Sequence, residues 1–125
     1  MEKIALSNAE WRLMNYLWDN GSGTISEMVQ YFTGITNWDR HVLIMMLKRM
    51  EAKGAVAYEM QGRAKQYYPV VEKAESCVQE TRDFLDRVYK GSMGLMLTTM
   101  VKQEEISSSE LEELRRILNQ DEKPD

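Results

Sequence analysis

Cysteine, proline and long apolar runs are scarce in this sequence. It has one cysteine, Cys77, which cannot form an intramolecular disulfide or a metal cluster and which we expect to be buried as a small apolar side chain. The longest aliphatic run, residues 42–47, has six residues, whereas a membrane-spanning helix needs roughly 20. No apolar segment near the N-terminus resembles a signal peptide. We therefore expect a cytoplasmic protein with no membrane segment.

Sequence motifs for catalysis and for cofactors are also missing. The chain contains neither a G-x-S-x-G nucleophile motif nor a glycine-rich phosphate loop. Its one histidine, His41, has no neighbours that would complete a set of metal ligands. We therefore predict no enzyme activity, no catalytic residue, no metal site and no cofactor.

Basic residues are outnumbered over the whole chain, which has a net charge of −4. They are unevenly distributed, because residues 1–71 contain eight Lys/Arg and seven Asp/Glu, whereas residues 72–125 contain eight and thirteen. Residues 40–65 contain six basic and only two acidic side chains. This window favours an anionic partner such as nucleic acid, and a solvated surface with chance clustering is the simpler alternative.

Three helices followed by a β-hairpin are predicted for the first half. Residues 7–10 (SNAE) and 24–27 (TISE) are capping boxes, and apolar residues at helical spacing follow each of them. Asp39 caps a third helix, which Gly54 ends. Two short segments rich in β-branched and aromatic residues then flank Gly62 and predict a hairpin. This order is typical of a winged helix-turn-helix domain.

Helical periodicity returns after residue 71 and predicts three more helices. The segment 95–101 is apolar on most faces, as is typical of a buried helix, but about fifty residues are few for a separate core. A second copy of the chain would complete the cover. We expect the dimer interface to be formed mainly by Phe84, Leu85, Val88, Leu95, Met96, Met100 and Leu114. The predicted fold is mainly α with a small β-hairpin: a winged helix-turn-helix domain at 1–71, a three-helix dimerisation domain at 72–119 and a disordered tail at 120–125.

The third predicted helix has two different faces. Four apolar residues at helical spacing from Leu43 to Met50 share the face expected to pack on the first two helices. The opposite face mixes polar and basic residues with two apolar ones, Ile44 and Met45. In a helix-turn-helix protein such a face enters the DNA major groove, where basic groups contact phosphates or guanines and apolar groups contact thymine methyls. Contact with another protein is the alternative. The predicted DNA-binding residues, including phosphate contacts from the hairpin tip, are Arg40, His41, Ile44, Met45, Lys48, Arg49, Arg63 and Lys65.

Several segments resemble the penicillinase repressor family, of the BlaI/MecI type. They are LSNAEWRLMNYLWDNGSGTISEMV, LKRMEAKGAV and GRAKQYYPVV in the first half, and FLDRVYKGS and EEISSSELEELRRIL in the second. The resemblance covers nearly the whole chain in the family's order. It implies a winged-helix repressor that dimerises through its C-terminal helices and blocks transcription at a dyad operator.

The chain departs from the family pattern in the recognition helix and in the C-terminal half. The recognition helix of the family usually carries threonine where this chain has Val42 and Met45. Relatives that control β-lactam resistance are cut between an Asn and a Phe, which align here with Thr99 and Met100. Copper-responsive relatives carry C-terminal cysteines, which this chain lacks. The resemblance therefore supports neither of these inducing signals, and any upstream sensor is unknown.

The sequence thus predicts a cytoplasmic, homodimeric transcriptional repressor that binds double-stranded DNA through the third helix and the hairpin. Two alternatives remain at this point. Because Ile44 and Met45 are apolar and face outward, the protein could have lost DNA binding and act as a protein-interaction module. It could also be a winged-helix regulator that senses a small ligand between its halves.

Overall fold

The computed structural model describes residues 4–120. Within these residues the secondary structure is mainly helical, with one small antiparallel sheet in the first half of the chain, which confirms the predicted fold class. The elements in chain order are α1 (Asn8–Asn20), β1 (Gly23–Thr24), α2 (Ile25–Phe32), α3 (Arg40–Lys53), β2 (Val56–Gln61), β3 (Ala64–Pro69), α4 (Lys73–Tyr89), α5 (Met93–Lys102) and α6 (Ser108–Gln120).

Side-chain caps determine where the first three helices begin. The hydroxyl of Ser7 accepts a hydrogen bond from the backbone N–H of Glu10, whose carboxylate accepts one from the N–H of Ser7. Thr24 and Glu27 form the same reciprocal pair at the start of α2. Asp39 accepts from the third residue of α3 at 2.8 Å. These contacts satisfy backbone donors that a helix leaves unpaired at its first turn, and they confirm the three predicted starts.

The sheet has three strands in the order β1-β3-β2. β2 and β3 form the predicted hairpin, in which Tyr58 lies opposite Tyr67. We call this hairpin the wing. β1 was not predicted, because a strand of two residues is too short to show an alternating pattern. Gly23 and Thr24 pair with Tyr67 and Gln66, so the wing is joined to the start of α2.

The chain divides into two compact units between Gln79 and Glu80, inside α4. The boundary predicted from the sequence lies earlier, between residues 71 and 72. The first unit has a continuous core built from α1, α2, α3 and the sheet. Its α3 face from Leu43 to Met50 is fully covered, as predicted. The buried core residues are Leu13, Met14, Leu17, Met28, Phe32, Leu43, Met46, Leu47, Met50, Ala55, Val56 and Tyr67.

The second unit buries very little within one chain. Leu85 is its fully buried large apolar side chain, and none of the residues of α5 or α6 is fully buried. Leu85 was predicted to face a partner, but it packs inside its own chain and offers no surface. Three of the other predicted interface residues, Met96, Met100 and Leu114, are half-buried. The large apolar side chains that remain exposed in this unit are Phe84, Val88, Met93, Leu95, Val101, Ile117 and Leu118.

Two further expectations need correction. Cys77 is exposed, not buried, because the first turns of α4 lie outside the core of the first unit. Gln120 is the last residue of α6, so the helix continues one residue into the predicted tail, and residues 121–125 lie outside the described residues. Thr99 and Met100 lie within α5, both half-buried. No helix in the described part of the chain is both long and apolar enough to cross a membrane.

Candidate nucleic-acid interface

The outward face of α3 is a mixed polar and apolar surface. At 100° per residue, His41, Met45, Lys48 and Ala52 lie opposite the buried face, and all four are exposed. Met45 is 51% exposed. Ile44, at the edge of this face, is half-buried. This arrangement matches the prediction that the helix has a core face and a free face.

Both ends of α3 are fastened to neighbouring elements. At its start, Arg40 donates from Nη1 to the hydroxyl of Ser26 on α2, across 3.2 Å. At its end, the Lys53 ammonium donates to the carbonyl oxygen of Ala5 at 2.7 Å and to the carboxylate of Glu10 at 2.6 Å. These contacts fix the orientation of the helix on the first unit. They also engage Arg40, which the sequence assigned to DNA.

Glu10 is the one charged residue that is fully buried among the described residues. Burial opposes ionisation and is the largest influence on the pKa of Glu10, but hydrogen bonds from Lys53 and Ser7 and the charge of Lys53 outweigh it. The pKa therefore lies below the usual value for a glutamate, and the side chain is ionised at neutral pH. Arg49 is a second cation near it, with Nε 3.7 Å from Oε2.

The tip of the wing carries the second group of predicted contacts. Gly62 and Arg63 form a two-residue loop between the paired residues Gln61 and Ala64. Gly62 has φ +63°, which glycine adopts at no steric cost in a tight hairpin turn. Arg63 is exposed at this tip. The turn therefore presents a guanidinium at the end of the wing.

Lys65 is held on the wing by an aromatic ring. Its Nζ lies 4.4 Å from the centroid of Tyr58, and the Tyr58 ring itself packs against Tyr67 at 5.5 Å. A cation–π contact at an exposed site contributes only about 0.5–1 kcal/mol. Lys65 is thus placed on the wing by a weak contact and remains exposed.

α1, α2 and the turn after α2 enclose an aromatic cluster in the first unit. Tyr16 lies 4.8 Å from Tyr31 and 5.9 Å from Phe32, measured between ring centroids. A groove of about 210 Å³ opens beside them, lined also by Arg12 and Asp19. Binding sites for drug-sized ligands usually have volumes of about 300–1,000 Å³, so this groove is small for one. Among the described residues no three His, Cys, Asp or Glu side chains are grouped to hold a metal.

The structure thus brings together His41, Met45 and Lys48 on one free face, with Ile44 and Arg49 at its edges. Arg40 is bonded to α2. Sequence reasoning missed the roles of Glu10 and Lys53. Glu10 was recognised only as half of a capping box, and its second role depends on a residue 43 positions away in the chain. A buried acid in a capping box gives no local signal of such a partner.

The sequence of this chain matches a known family and several known proteins. The sequence profile of the family described as penicillinase repressor matches residues 6–120. The methicillin resistance regulatory protein MecI of Staphylococcus aureus (strain N315) is 28% identical over 114 residues, which cover 91% of this chain and 93% of that protein. The penicillinase repressor of Bacillus licheniformis is 27% identical over 121 residues, which cover 96% of this chain and 94% of that protein.

Two solved structures resemble the first part of the chain. One is the solution structure of the DNA-binding domain of the repressor BlaI, and the other is the monomeric form of Bacillus licheniformis BlaI in complex with the blaP half-operator. Each matches with a TM-score of 0.53 and 28% identity, over 60% of this chain and 93% of the other. With a family match over nearly its whole length and the winged-helix fold of the BlaI DNA-binding domain, this chain belongs to the penicillinase repressor family.

Proposed function

We propose that this protein is a homodimeric transcriptional repressor that binds a dyad operator through α3 and the wing. The observation that carries the proposal is the free face of α3. The two ends of α3 are fastened to neighbouring elements by Arg40 and Lys53, while Met45 and Lys48 between them are exposed. A helix held rigidly on its scaffold with a free polar and apolar face suits insertion into the major groove.

The wing supplies contacts of a different kind. Arg63 at its tip and Lys65 on the Tyr58 ring are cationic and exposed. Contacts to phosphates fix the register of a protein on the duplex but carry no sequence information. We therefore assign Arg63 and Lys65 to the DNA backbone and the face around Met45 to the bases. The relatives named above as repressors, and the BlaI structure with a half-operator, support this assignment.

Dimerisation is assigned to the second unit. Seven large apolar side chains of this unit are exposed while one is fully buried. Apolar side chains that one chain leaves exposed in such number suit an interaction site, and a two-fold dimer would pair the same surface of two copies. Phe84, Val88 and Leu95 are the exposed members of the predicted set. Such a dimer presents two α3 helices, one to each half-site of the operator. We place it in the cytoplasm, where the DNA of bacteria such as those that carry the relatives is found.

The test is selection of binding sites from a random duplex library by the full-length protein. We expect enrichment of an inverted repeat whose halves are about one helical turn apart. Arg63→Ala should weaken binding to every duplex and lower the slope of log K against log salt by roughly one unit per lost phosphate contact. Lys102→Ala, on α5, is the matched control and should leave the slope unchanged. If no sequence is enriched, the proposal fails.

A second candidate function rests on one observation, the 51% exposure of Met45 in the middle of the free face. In a protein-interaction module this side chain would enter a pocket of the partner. The same library selection separates the two candidates, because an interaction module would enrich no DNA sequence.

A further inference from the structure

The carboxylate of Glu10 is buried, yet only one of its oxygens is fully paired. Oε1 accepts hydrogen bonds from the N–H of Ser7 at 2.8 Å and from Nζ of Lys53 at 2.6 Å. Oε2 has no hydrogen-bond partner within the described residues. The side chain of Glu10 is only 2% exposed. Leaving a buried charged oxygen unpaired is unfavourable, so Oε2 attracts any donor that can reach it.

Arg49 is the donor in position. Its Nε lies 3.7 Å from Oε2, too far for a hydrogen bond but within ion-pair distance. The side chain of Arg49 is 61% exposed, so it is free to move toward or away from Glu10. On the helical wheel Arg49 lies about 40° from Met45, at the edge of the face assigned to the major groove. With α3 in the major groove, as proposed above, an arginine at that edge faces the DNA backbone.

The positions of Lys53 and Lys48 depend less on the Glu10 carboxylate than that of Arg49 does. Lys53 is held by the carbonyl of Ala5 as well as by Glu10, so removing the carboxylate leaves one of its bonds in place. Within the described residues Lys48 has no carboxylate at ion-pair distance. Arg49 is thus the basic residue of α3 whose freedom depends most on Glu10.

We propose that Glu10 competes with DNA for Arg49: its carboxylate takes the place of a backbone phosphate and so lowers the sequence-independent affinity of the protein for duplex DNA. This inference rests on the proposed function. Phosphate contacts supply nearly all of the sequence-independent affinity. Retaining Arg49 on Glu10 removes one such contact for each bound protomer and leaves the base contacts of α3 unaffected, so binding to operator and non-operator DNA weakens by about the same factor.

The expected effect follows from counterion release. Each phosphate neutralised on a duplex contributes roughly 0.9 to the slope of log K against log salt. Releasing Arg49 should therefore steepen the slope by up to about 0.9 for each bound protomer. Between 50 and 200 mM salt, this adds a further loss of affinity of roughly threefold per protomer.

The experiment uses the full-length protein and a 30-base-pair duplex of mixed sequence that carries no selected operator. Binding is measured by fluorescence anisotropy over a range of NaCl concentrations for wild type, Glu10→Gln, Arg49→Gln and the double variant. Glu10→Gln should bind this duplex more tightly at low salt, with a steeper slope. In the Arg49→Gln background, Glu10→Gln should change nothing. Arg63→Gln should lower the slope equally whether or not Glu10 is present.

Glu10→Gln leaves Lys53 without its anion and could fail to fold for that reason. A second variant therefore tests the same inference. Glu10→Gln with Lys53→Met removes both charges together, so neither charge of the pair is left without its partner. It should show the same steeper slope. A slope equal to or shallower than that of wild type in the folded variant overturns the inference and leaves the proposed function standing. If wild type itself shows no salt-dependent binding to any duplex, the proposed function fails and the inference fails with it.

Discussion

The indole Nε1–H of Trp18 donates a hydrogen bond to the carbonyl oxygen of Val71 across 3.0 Å. The two residues are 53 positions apart in the chain. Trp18 lies near the end of α1, and Val71 follows the last strand of the wing. The bond therefore fixes the path of the chain between the wing and α4 on the first unit. Trp11, one of the neighbours of Trp18 on α1, packs against it with the ring centroids 5.8 Å apart.

Trp18→Phe should lower the free energy of unfolding by about 1–3 kcal/mol, because the partly buried carbonyl of Val71 loses its donor. Trp11→Phe is the matched control. It truncates the other ring of the same pair, but the Nε1 of Trp11 has no hydrogen-bond partner within the described residues. The free energy of unfolding should therefore fall less in Trp11→Phe than in Trp18→Phe. Urea unfolding of both variants followed by circular dichroism measures the difference. Equal losses in the two variants would contradict a stabilising role for the Trp18–Val71 bond.

The ion pair of Glu10 should make stability depend on pH. The pKa of Glu10 is lowered in the folded state from a usual value of 4.5. The unfolded chain therefore binds the proton more readily, and the stabilisation is fully present above about pH 4.5. It is lost as the pH falls through the lower pKa of the folded state. Unfolding free energies measured by urea titration from pH 7 to pH 3 should show this decrease.

Glu10→Gln isolates that contribution. At pH 7 we expect a loss of about 1–3 kcal/mol, since Lys53 keeps some solvent exposure to screen its charge, and the difference from wild type should narrow as the pH falls. The pKa of Glu110 is also lowered, by hydrogen bonds from the backbone and side chain of Ser107. Glu110 is present in both wild type and Glu10→Gln, so its contribution cancels in the difference between their unfolding free energies. A gap between the two proteins that is constant with pH would refute the assignment to Glu10.

The sequence predicted those parts of the fold that depend on neighbouring residues. Ser7, Thr24 and Asp39 accept from backbone groups three residues away, and such contacts are visible in a short stretch of sequence. Helical spacing likewise identified the buried face of α3. The contact of Glu10 with Lys53 joins residues 43 positions apart, and no local pattern encodes it.

Predictions of burial were weakest in α4. Helical periodicity gives the face on which a residue lies, but not which face another element covers. Cys77 and Leu85 both lie on this helix, and the sequence predicted a buried Cys77 and an interfacial Leu85. The structure exposes Cys77 and buries Leu85. The difference arises from packing within each unit, which depends on the turns between α4, α5 and α6.

The proposed dimer should be sensitive to a charge in the apolar surface of the second unit. Leu95→Glu places a carboxylate on α5, where wild type has an exposed leucine. Burying an unpaired charge at an interface is strongly unfavourable, so the variant should be monomeric at micromolar concentration. Val70→Glu, at a similarly exposed position in the first unit, is the matched control and should remain a dimer. Sedimentation velocity distinguishes the two states.

A fragment of residues 1–71 gives a second measurement of the same interface. It keeps α3 and the wing but lacks α4, α5 and α6. We expect a monomer that binds DNA far more weakly than the full chain, because two half-sites are no longer held by one linked pair of subunits. A dimeric 1–71 fragment, or a dimeric Leu95→Glu variant, would move the interface away from the second unit.

Met45 should contribute to base recognition and not to stability. It is 51% exposed on the free face of α3, and an apolar side chain in the major groove can contact the methyl group of thymine. Met45→Ala should therefore weaken binding to the selected operator by about 1–3 kcal/mol, as a mismatched base pair does. The free energy of unfolding should change by less than about 0.5 kcal/mol, as for most surface substitutions.

Replacing thymine by uracil in the operator tests the contact directly, because uracil lacks only the methyl group. Wild type should bind the uracil site more weakly, whereas Met45→Ala should bind both sites equally. Met60→Ala is the matched control, since Met60 is a methionine of similar exposure, 57%, on the wing that is assigned to phosphates. It should keep the preference of wild type for thymine. If Met45→Ala preserves that preference and instead abolishes binding to another protein, the free face of α3 belongs to a protein partner.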